Sequence, residues 1–312
     1  MAVGAGLLYL TVKDLRWGEV SAQLSTLAYG WVLLALALYW VELSVRIVRW
    51  GTLLAPLRNS LSLSAVATAF VSGYAANNVL PAKLGEPFRA DLFGRLAGAS
   101  RMRAFGSVIV ERMFDLVMVL GMTIWGVLVV SSDHLDTLAD INRGLAALLV
   151  LFLLLAGGLY FVVGRKNNYL VVRVRSMSVK ARNLFDGLEV PSSSRGYVNL
   201  TLLTLLIWTL NSLAMWSILM ALDVQLTINQ TVMLIGLTGI SASIPAAPAG
   251  IGTLQYAFYL AAILYDFPTS AALLASALVQ IVLLGSATLV GALAYSNAVS
   301  RHLLPRAPVE QR

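Results

Sequence analysis

Asn77-Asn78-Val79-Leu80-Pro81-Ala82-Lys83-Leu84-Gly85-Glu86-Pro87-Phe88-Arg89 is a polar, proline-broken stretch set between apolar helical runs. Lys83, Glu86 and Arg89 put three charges into it. In hydrocarbon, a broken backbone and full charges survive only where protein or a wet cavity satisfies them. The surrounding chain says that hydrocarbon is the relevant solvent. It is 59% hydrophobic and 12% charged, with a mean hydropathy of +0.81. A soluble domain carries about 25% charged residues. Apolar runs lie near 2–12, 27–48, 62–80, 104–130, 143–164, 198–222, 228–245, 249–265 and 269–295, with a shorter, more polar helix at 84–97. These runs do not alternate as barrel strands do. The expected fold is all-α, a polytopic helical membrane protein whose residues 1–312 form a single transmembrane domain.

Charge distribution orients the spans. Arg46, Arg49 and Arg58 form one basic segment, and Arg95, Arg101 and Arg103 another. The connection 165–197 holds Arg165, Lys166, Arg173, Arg175, Lys180, Arg182 and Arg195 against Asp186 and Glu189, and the tail carries Arg301 and Arg306. These belong on the cytoplasmic side, beside anionic lipid. Asp133, Asp136, Asp140, Asp223 and Asp266 mark the outer side. The expected location is the inner (cytoplasmic) membrane, multi-pass, with the C-terminus cytoplasmic. Residues 2–10 lack the basic flank and cleavage pattern of a secretory signal. The 2–12 run is read as a shortened first span, roughly 16 Å against a core of ~30 Å.

One path fits these sides and contains a repeat. Helix, hairpin and helix occur at 27–48, 62–97 and 104–130, and again at 198–222, 228–265 and 269–295. The units (about 27–130 and 198–295) run in opposite directions. Their turns correspond as P-x-x-x-G, Pro81 to Gly85 and Pro248 to Gly252. Inverted repeats with two broken-helix hairpins, re-entrant for at least the first, are a transporter design with the site near the midplane.

Other chemistry is sparse. The chain has no cysteine, and its two histidines, His134 and His302, fall in polar connections, so no metal site is expected. A net charge of +7 could suggest nucleic acid, but the cations flank apolar helices and no nucleic-acid partner is expected. No nucleotide, metalloprotease or lipase-type motif is present, so neither a cofactor nor an enzyme activity is expected.

Three constellations carry the candidate site. In the first, Pro81 ends a helix, Gly85 permits a conformation that other residues resist, and Pro87 stands near the next helix start. Helix N–H dipoles, Lys83, Arg89 and the amides of Asn77 and Asn78 suit an anion, above all phosphate, with Glu86 orienting a cation or carrying a proton. The alternative is a cytoplasmic loop with snorkelling charges. In the second, Glu111 and Asp115 stand four apart beside Arg112 inside an apolar run. They form either a salt-bridge knot or a cavity-facing Arg112 with charge-balancing or proton-relaying acids; both could hold together. The third is the uncharged Ser241–Tyr256 segment, where Pro245, Pro248, Gly250 and Gly252 shape the turn. Thr253 and Gln255 could contact a headgroup, or the segment is a plain kinked packing element.

The runs N-N-V-L-P-A-K-L-G-E-P-F-R-A, V-E-R-M-F-D-L and I-P-A-A-P-A-G-I-G-T-L-Q-Y-A together resemble the flippase-like membrane domain of the lysylphosphatidylglycerol synthases, which also occurs in stand-alone UPF0104-type proteins. The resemblance covers about residues 5–298. It implies handling of a membrane lipid, by moving aminoacyl-phosphatidylglycerol, a related phospholipid or a polyprenyl-phosphate carrier between leaflets. It points to Asn77, Pro81, Lys83, Gly85, Glu86, Arg89, Glu111, Arg112, Asp115, Pro248, Gly250 and Gly252. The family's lysyl-transferring module lies beyond the membrane part and is not expected here. Lys83 stands where the pattern often has arginine, a point charge for a fork. Gln255 replaces the usual acid of the second turn and weakens proton relay there.

The resulting expectation is a flippase-like lipid transporter acting on an anionic headgroup or lipid-linked phosphate. Lys83, Arg89 and Arg112 would contact phosphate, and Glu86, Glu111 and Asp115 would balance charge. A non-transporting subunit that presents lipid to a lipid-modifying or glycosyl-transferring partner enzyme is the alternative, and self-association is left open. A membrane-embedded enzyme using Glu86 or Asp115 as base is the third reading, lacking an activated nucleophile.

Overall fold

A computed structural model describes residues 2–13, 15, 17–54, 62–130, 150, 154, 157, 179–188, 194–243 and 248–301. Numbered along the described residues, the helices are α1 (Ala2–Val12), α2 (Trp17–Ser25), α3 (Tyr29–Leu53), α4 (Leu63–Val79), α5 (Gly85–Ala97) and α6 (Arg101–Val130). They continue with α7 (Val179–Gly187), α8 (Ser194–Met220), α9 (Ile228–Ser243), α10 (Thr253–Tyr265), α11 (Thr269–Leu278) and α12 (Gly285–Ser300). A π turn, Val279–Leu284, joins α11 to α12. Among the described residues, four helical stretches are long and apolar enough to cross a membrane: α3, α6, α8 and the continuous Thr269–Ser300. The protein is therefore an all-α, multi-pass membrane protein. The expected span at 143–164 lies outside the described residues except Val150, Leu154 and Gly157, which are helical. Pro245, His134, His302 and most of the 165–197 connection also lie outside them.

The chain forms two compact units. One comprises Met1–Leu43, Asp115–Ala156 and Leu206–Gly285; the other comprises Ser44–Phe114, Gly157–Leu205 and Ser286–Arg312. We call them the glutamine unit and the arginine unit, after the side chains that organise their turns.

In the arginine unit, α4 and α5 form a tight hairpin through the 3-10 turn Pro81–Lys83. Pro81 has no N–H to continue α4, and Leu80 is extended at φ −86° and ψ 144°. The residue with a left-handed backbone is Lys83 (φ 55°), and Gly85 is helical. Glycine at 85 therefore serves close approach, not an unusual φ. A Cβ there would run into the Gly73 carbonyl and the Asn77 backbone nitrogen of α4. Ser72 Oγ donates to the Gly291 carbonyl of α12 (3.2 Å), and α7 lies on α6 where Gly187 meets Arg103. A small apolar cluster of Leu53, Val110 and Leu200 completes the packing, with Phe114, Leu188 and Tyr197 against it.

In the glutamine unit, α9 and α10 pack together through the 3-10 turn Pro248–Gly250, and α10 also packs on α1 and α11. Helix α10 starts at Thr253, four residues later than the apolar run suggests, because Ala249 (φ 50°), Gly250 (φ 68°) and Gly252 (φ 86°) are all left-handed. The Gly4 carbonyl of α1 occupies the place a Cβ on Gly252 would need. Small residues let α6 and α9 meet closely, Gly239 against Val119 and Gly126 against Met233.

Two sequence expectations are corrected here. Helix α3 runs five residues beyond 48, so Arg46 and Arg49 are buried helix residues and not flanking loop charges. Helix α2 was not expected, because Gly18, Glu19, Ser21 and Gln23 break any apolar run across it.

Candidate functional site

Glu111 of α6 is fully buried in the arginine unit, where a lone carboxylate would be prohibitively costly. Three guanidiniums surround it. Arg112 Nη2 donates to Oε1 (2.7 Å), Arg49 Nη2 to the same oxygen (3.3 Å), and Arg89 Nη2 to Oε2 (2.9 Å). Arg49 and Arg112 thus share one oxygen while Arg89 holds the other. Arg49 of α3 also donates from Nη1 to Thr204 Oγ1 of α8 (3.1 Å), whose hydroxyl donates to the Leu200 carbonyl (2.7 Å). Charge-assisted bonds of this kind are among the strong ones, and in a dry interior each matters more than on a surface.

Arg89 is held from its faces as well as its edge. Its guanidinium carbon lies 4.5 Å from the centroid of Trp50 and 4.7 Å from that of Phe70. A desolvated arginine on such rings gains about 2 kcal/mol per favourable contact. Trp50 is fixed in turn, its Nε1 donating to Ser107 Oγ (3.0 Å) and its ring meeting Phe93 edge-on at 5.4 Å. Helices α3, α4, α5 and α6 therefore all contribute to the seat of one arginine.

Arg112 differs. Its side chain is 31% exposed, and its Nε sits 3.6 Å from Glu86 Oε1, itself 20% exposed, in a looser pair at the start of α5. The cluster thus grades from a fixed interior, Arg49 and Arg89 on Glu111, to a partly exposed edge at Arg112 and Glu86. Glu86 also stands in the first turn of α5, where a carboxylate complements the helix dipole.

The remaining expected residues fall elsewhere. Asn78 Nδ2 donates to Thr288 Oγ1 of α12 (2.9 Å), tying the end of α4 down. Asn77 Oδ1 is buried at the α4–α5 crossing. Lys83 is partly buried on the turn, with Pro81 exposed before it. Asp115 is buried and belongs to the stretch contributed to the glutamine unit.

In the glutamine unit, Thr253 Oγ1 donates to the Gly250 carbonyl (3.1 Å). The Gly252 N–H donates to Gln255 Oε1 (2.7 Å), and Gln255 Nε2 donates to Gln280 Oε1 (2.6 Å). Gln280 Nε2 then donates to the Ala249 carbonyl (3.1 Å). Thr253 and Gln255, the two residues expected to meet a headgroup, thus both hydrogen-bond within the turn or to Gln280.

Sequence reasoning missed Arg49, Trp50, Thr204 and Gln280. The first had a usable signal: Glu42, Arg46 and Arg49 lie four and then three residues apart inside a helical run, one face of a helix. Glu42 is indeed buried and accepts from Asn211 Nδ2 (3.3 Å) in the glutamine unit.

Apolar helices of membrane length carrying a buried arginine–carboxylate cluster define a multi-pass helical membrane protein. More narrowly, the chain belongs to the family described as the lysylphosphatidylglycerol synthase transmembrane region, which it matches over residues 1–291. It is also similar to a UPF0104 membrane protein of Methanocaldococcus jannaschii, 28% identical over 236 residues that cover 73% of this chain and 95% of that one.

Proposed function

We propose that the protein is a flippase-like transporter of the cytoplasmic membrane that admits an anionic lipid headgroup, a phospholipid phosphate or a lipid-linked phosphate, to the arginine cluster. The observation that carries this reading is the graded cluster, in which buried Arg49 and Arg89 are fixed by Glu111 while Arg112 is partly exposed beside Glu86. A phosphate oxygen could replace Glu86 on the fork of Arg112, since arginine matches phosphate bidentately. Lys83 and the N–H groups opening α5 would add to the attraction. Glu111 keeps the interior arginines compensated when the site is empty. The lipid tail stays in hydrocarbon while the head enters.

The transporter reading draws support from the hairpins. Their arms hold 17, 13, 16 and 13 residues. At 1.5 Å per residue these reach about 20–26 Å, short of a ~30 Å core, as re-entrant arms would. Both turns are 3-10 turns starting at proline, with a left-handed residue two positions on, Lys83 and Gly250. That likeness supports an inverted repeat within one membrane domain, the C-terminus cytoplasmic. No enzyme activity of its own is part of this reading.

The test is reconstitution into vesicles with headgroup-labelled anionic phospholipids and polyprenyl phosphates. Leaflet exchange faster than in protein-free vesicles is expected for at least one of them. Exchange at the protein-free rate for every lipid tried contradicts transport. The second reading, a subunit presenting lipid to a partner enzyme, is favoured by how fully Glu111 engages Arg49 and Arg89. It predicts bound anionic lipid without exchange.

A further inference from the structure

Gln280 lies in an apolar run, with no polar neighbour in Val279–Leu284 to draw attention to it. The π turn there inserts one extra residue per turn and so re-aims the side chains around it, a feature frequent at functional positions. Here it brings the Gln280 carboxamide between Gln255 and the Ala249 carbonyl. The result is a directional chain of three hydrogen bonds, from the Gly252 N–H through Gln255 and Gln280 to the Ala249 carbonyl. Both ends of that chain are left-handed residues of the same turn, Gly252 (φ 86°) and Ala249 (φ 50°).

We infer that Gln280 is a positioning residue, the outer half of an uncharged carboxamide clasp that holds the second turn in its left-handed shape. Each amide uses its oxygen as acceptor and its nitrogen as donor, so the chain works in one direction only. Neither Asp nor Glu can replace a glutamine in it without turning one donor into an acceptor. Helix α6, which packs on α9 where Val119 meets Gly239, brings one buried carboxylate into this unit, Asp115. Helices α1, α9 and α11 and the π turn, which pack around α10 and its turn, carry no Asp, Glu, Lys, Arg or His; the titratable groups on α1 and α10 are Tyr9, Tyr256, Tyr259 and Tyr265. The clasp bears on lipid exchange through the transport reading above, but its existence does not depend on that reading.

The chain has no cysteine, so one placed at the turn reports its opening cleanly. Leu254, 8% exposed just past the clasped Gly252, is the position to use. With Leu254→Cys as parent, labelling by a water-soluble maleimide is measured in membranes at several pH values. Gln280→Leu is expected to raise the labelling rate about tenfold, the equivalent of about 1.4 kcal/mol of lost clasp. Gln255→Glu tests the direction of the chain. As a carboxylate it presents an acceptor to the Gln280 oxygen and opens the turn; once protonated, its O–H donates there and restores the chain. Its labelling rate relative to the parent at the same pH should therefore be high at alkaline pH and fall towards one on acidification. A Gln280→Leu rate equal to the parent's, or a Gln255→Glu ratio that does not move with pH, overturns the proposal. No lipid has to move for the cysteine to be labelled, so a failed lipid-exchange experiment leaves the labelling result, and what it says of the clasp, unchanged.

Discussion

The turn after α4 and the turn after α9 begin alike and are held by opposite chemistry. Both begin with proline, pass through a 3-10 turn and place a left-handed residue two positions on. Around the first, ions do the holding: Glu86 pairs with Arg112, and Arg112, Arg89 and Arg49 converge on Glu111. Around the second, two carboxamides close the turn on itself and no charge is involved. The difference teaches that a break in a membrane helix needs only satisfied hydrogen bonds, which glutamines provide. Full charges are a further cost, and their presence at one turn but not the other is the contrast on which the proposed recognition of an anionic headgroup rests.

The largest way to break this contrast is Glu111→Ala. It takes the Glu111 carboxylate from two buried guanidiniums, Arg49 and Arg89, and is expected to cost about 3–5 kcal/mol, the usual penalty for removing one partner of a buried pair. Thermal unfolding of the purified protein in detergent reads it, and a loss under about 1 kcal/mol would mean that the arginines find other compensation. Next come the glycines at which a neighbouring carbonyl packs closely, Gly85 inside the first hairpin and Gly252 against α1. Gly85→Ala must push α5 off the Gly73 carbonyl, at about 1–3 kcal/mol of overpacking. Gly252→Ala meets the Gly4 carbonyl and in addition a left-handed backbone, and should cost about 1 kcal/mol more. Equal losses would contradict the different uses of glycine at the two turns. The smallest effect has the opposite sign. Lys83→Gly relieves a left-handed lysine and should raise stability by about 1 kcal/mol. The same change should weaken retention of anionic lipid in detergent, and unchanged retention would separate Lys83 from recognition.

Much of the fold was legible in the sequence, for reasons that can be traced to particular residues. Ala2–Val12 is recovered to the residue, and α4 and α5 to within one, because apolar runs end sharply at Lys13, Pro81 and Gly98. That Glu86, Arg89, Glu111 and Arg112 need ionic partners could be read from the cost of charge in hydrocarbon alone. Which of them pair could not, since Arg49 comes from a helix more than sixty positions before Glu111 and looked like a flanking cation. Gly85 reads as a position of unusual φ because sequence shows a glycine but not whether φ or contact requires it. Gln280 was invisible because a π turn leaves no mark on hydropathy. It becomes meaningful only once the Ala249 carbonyl is in place.

The central claim, that charge recognition belongs to the arginine turn, is tested most directly by a ratio of rates in vesicles: leaflet exchange of an anionic lipid over that of a zwitterionic one. The parent should show a ratio well above one. Arg112→Gln should bring it to about one, whereas Gln280→Leu should change both rates together and leave the ratio standing. A ratio that survives Arg112→Gln unchanged, in a protein that still unfolds at the parent's temperature, would contradict the account.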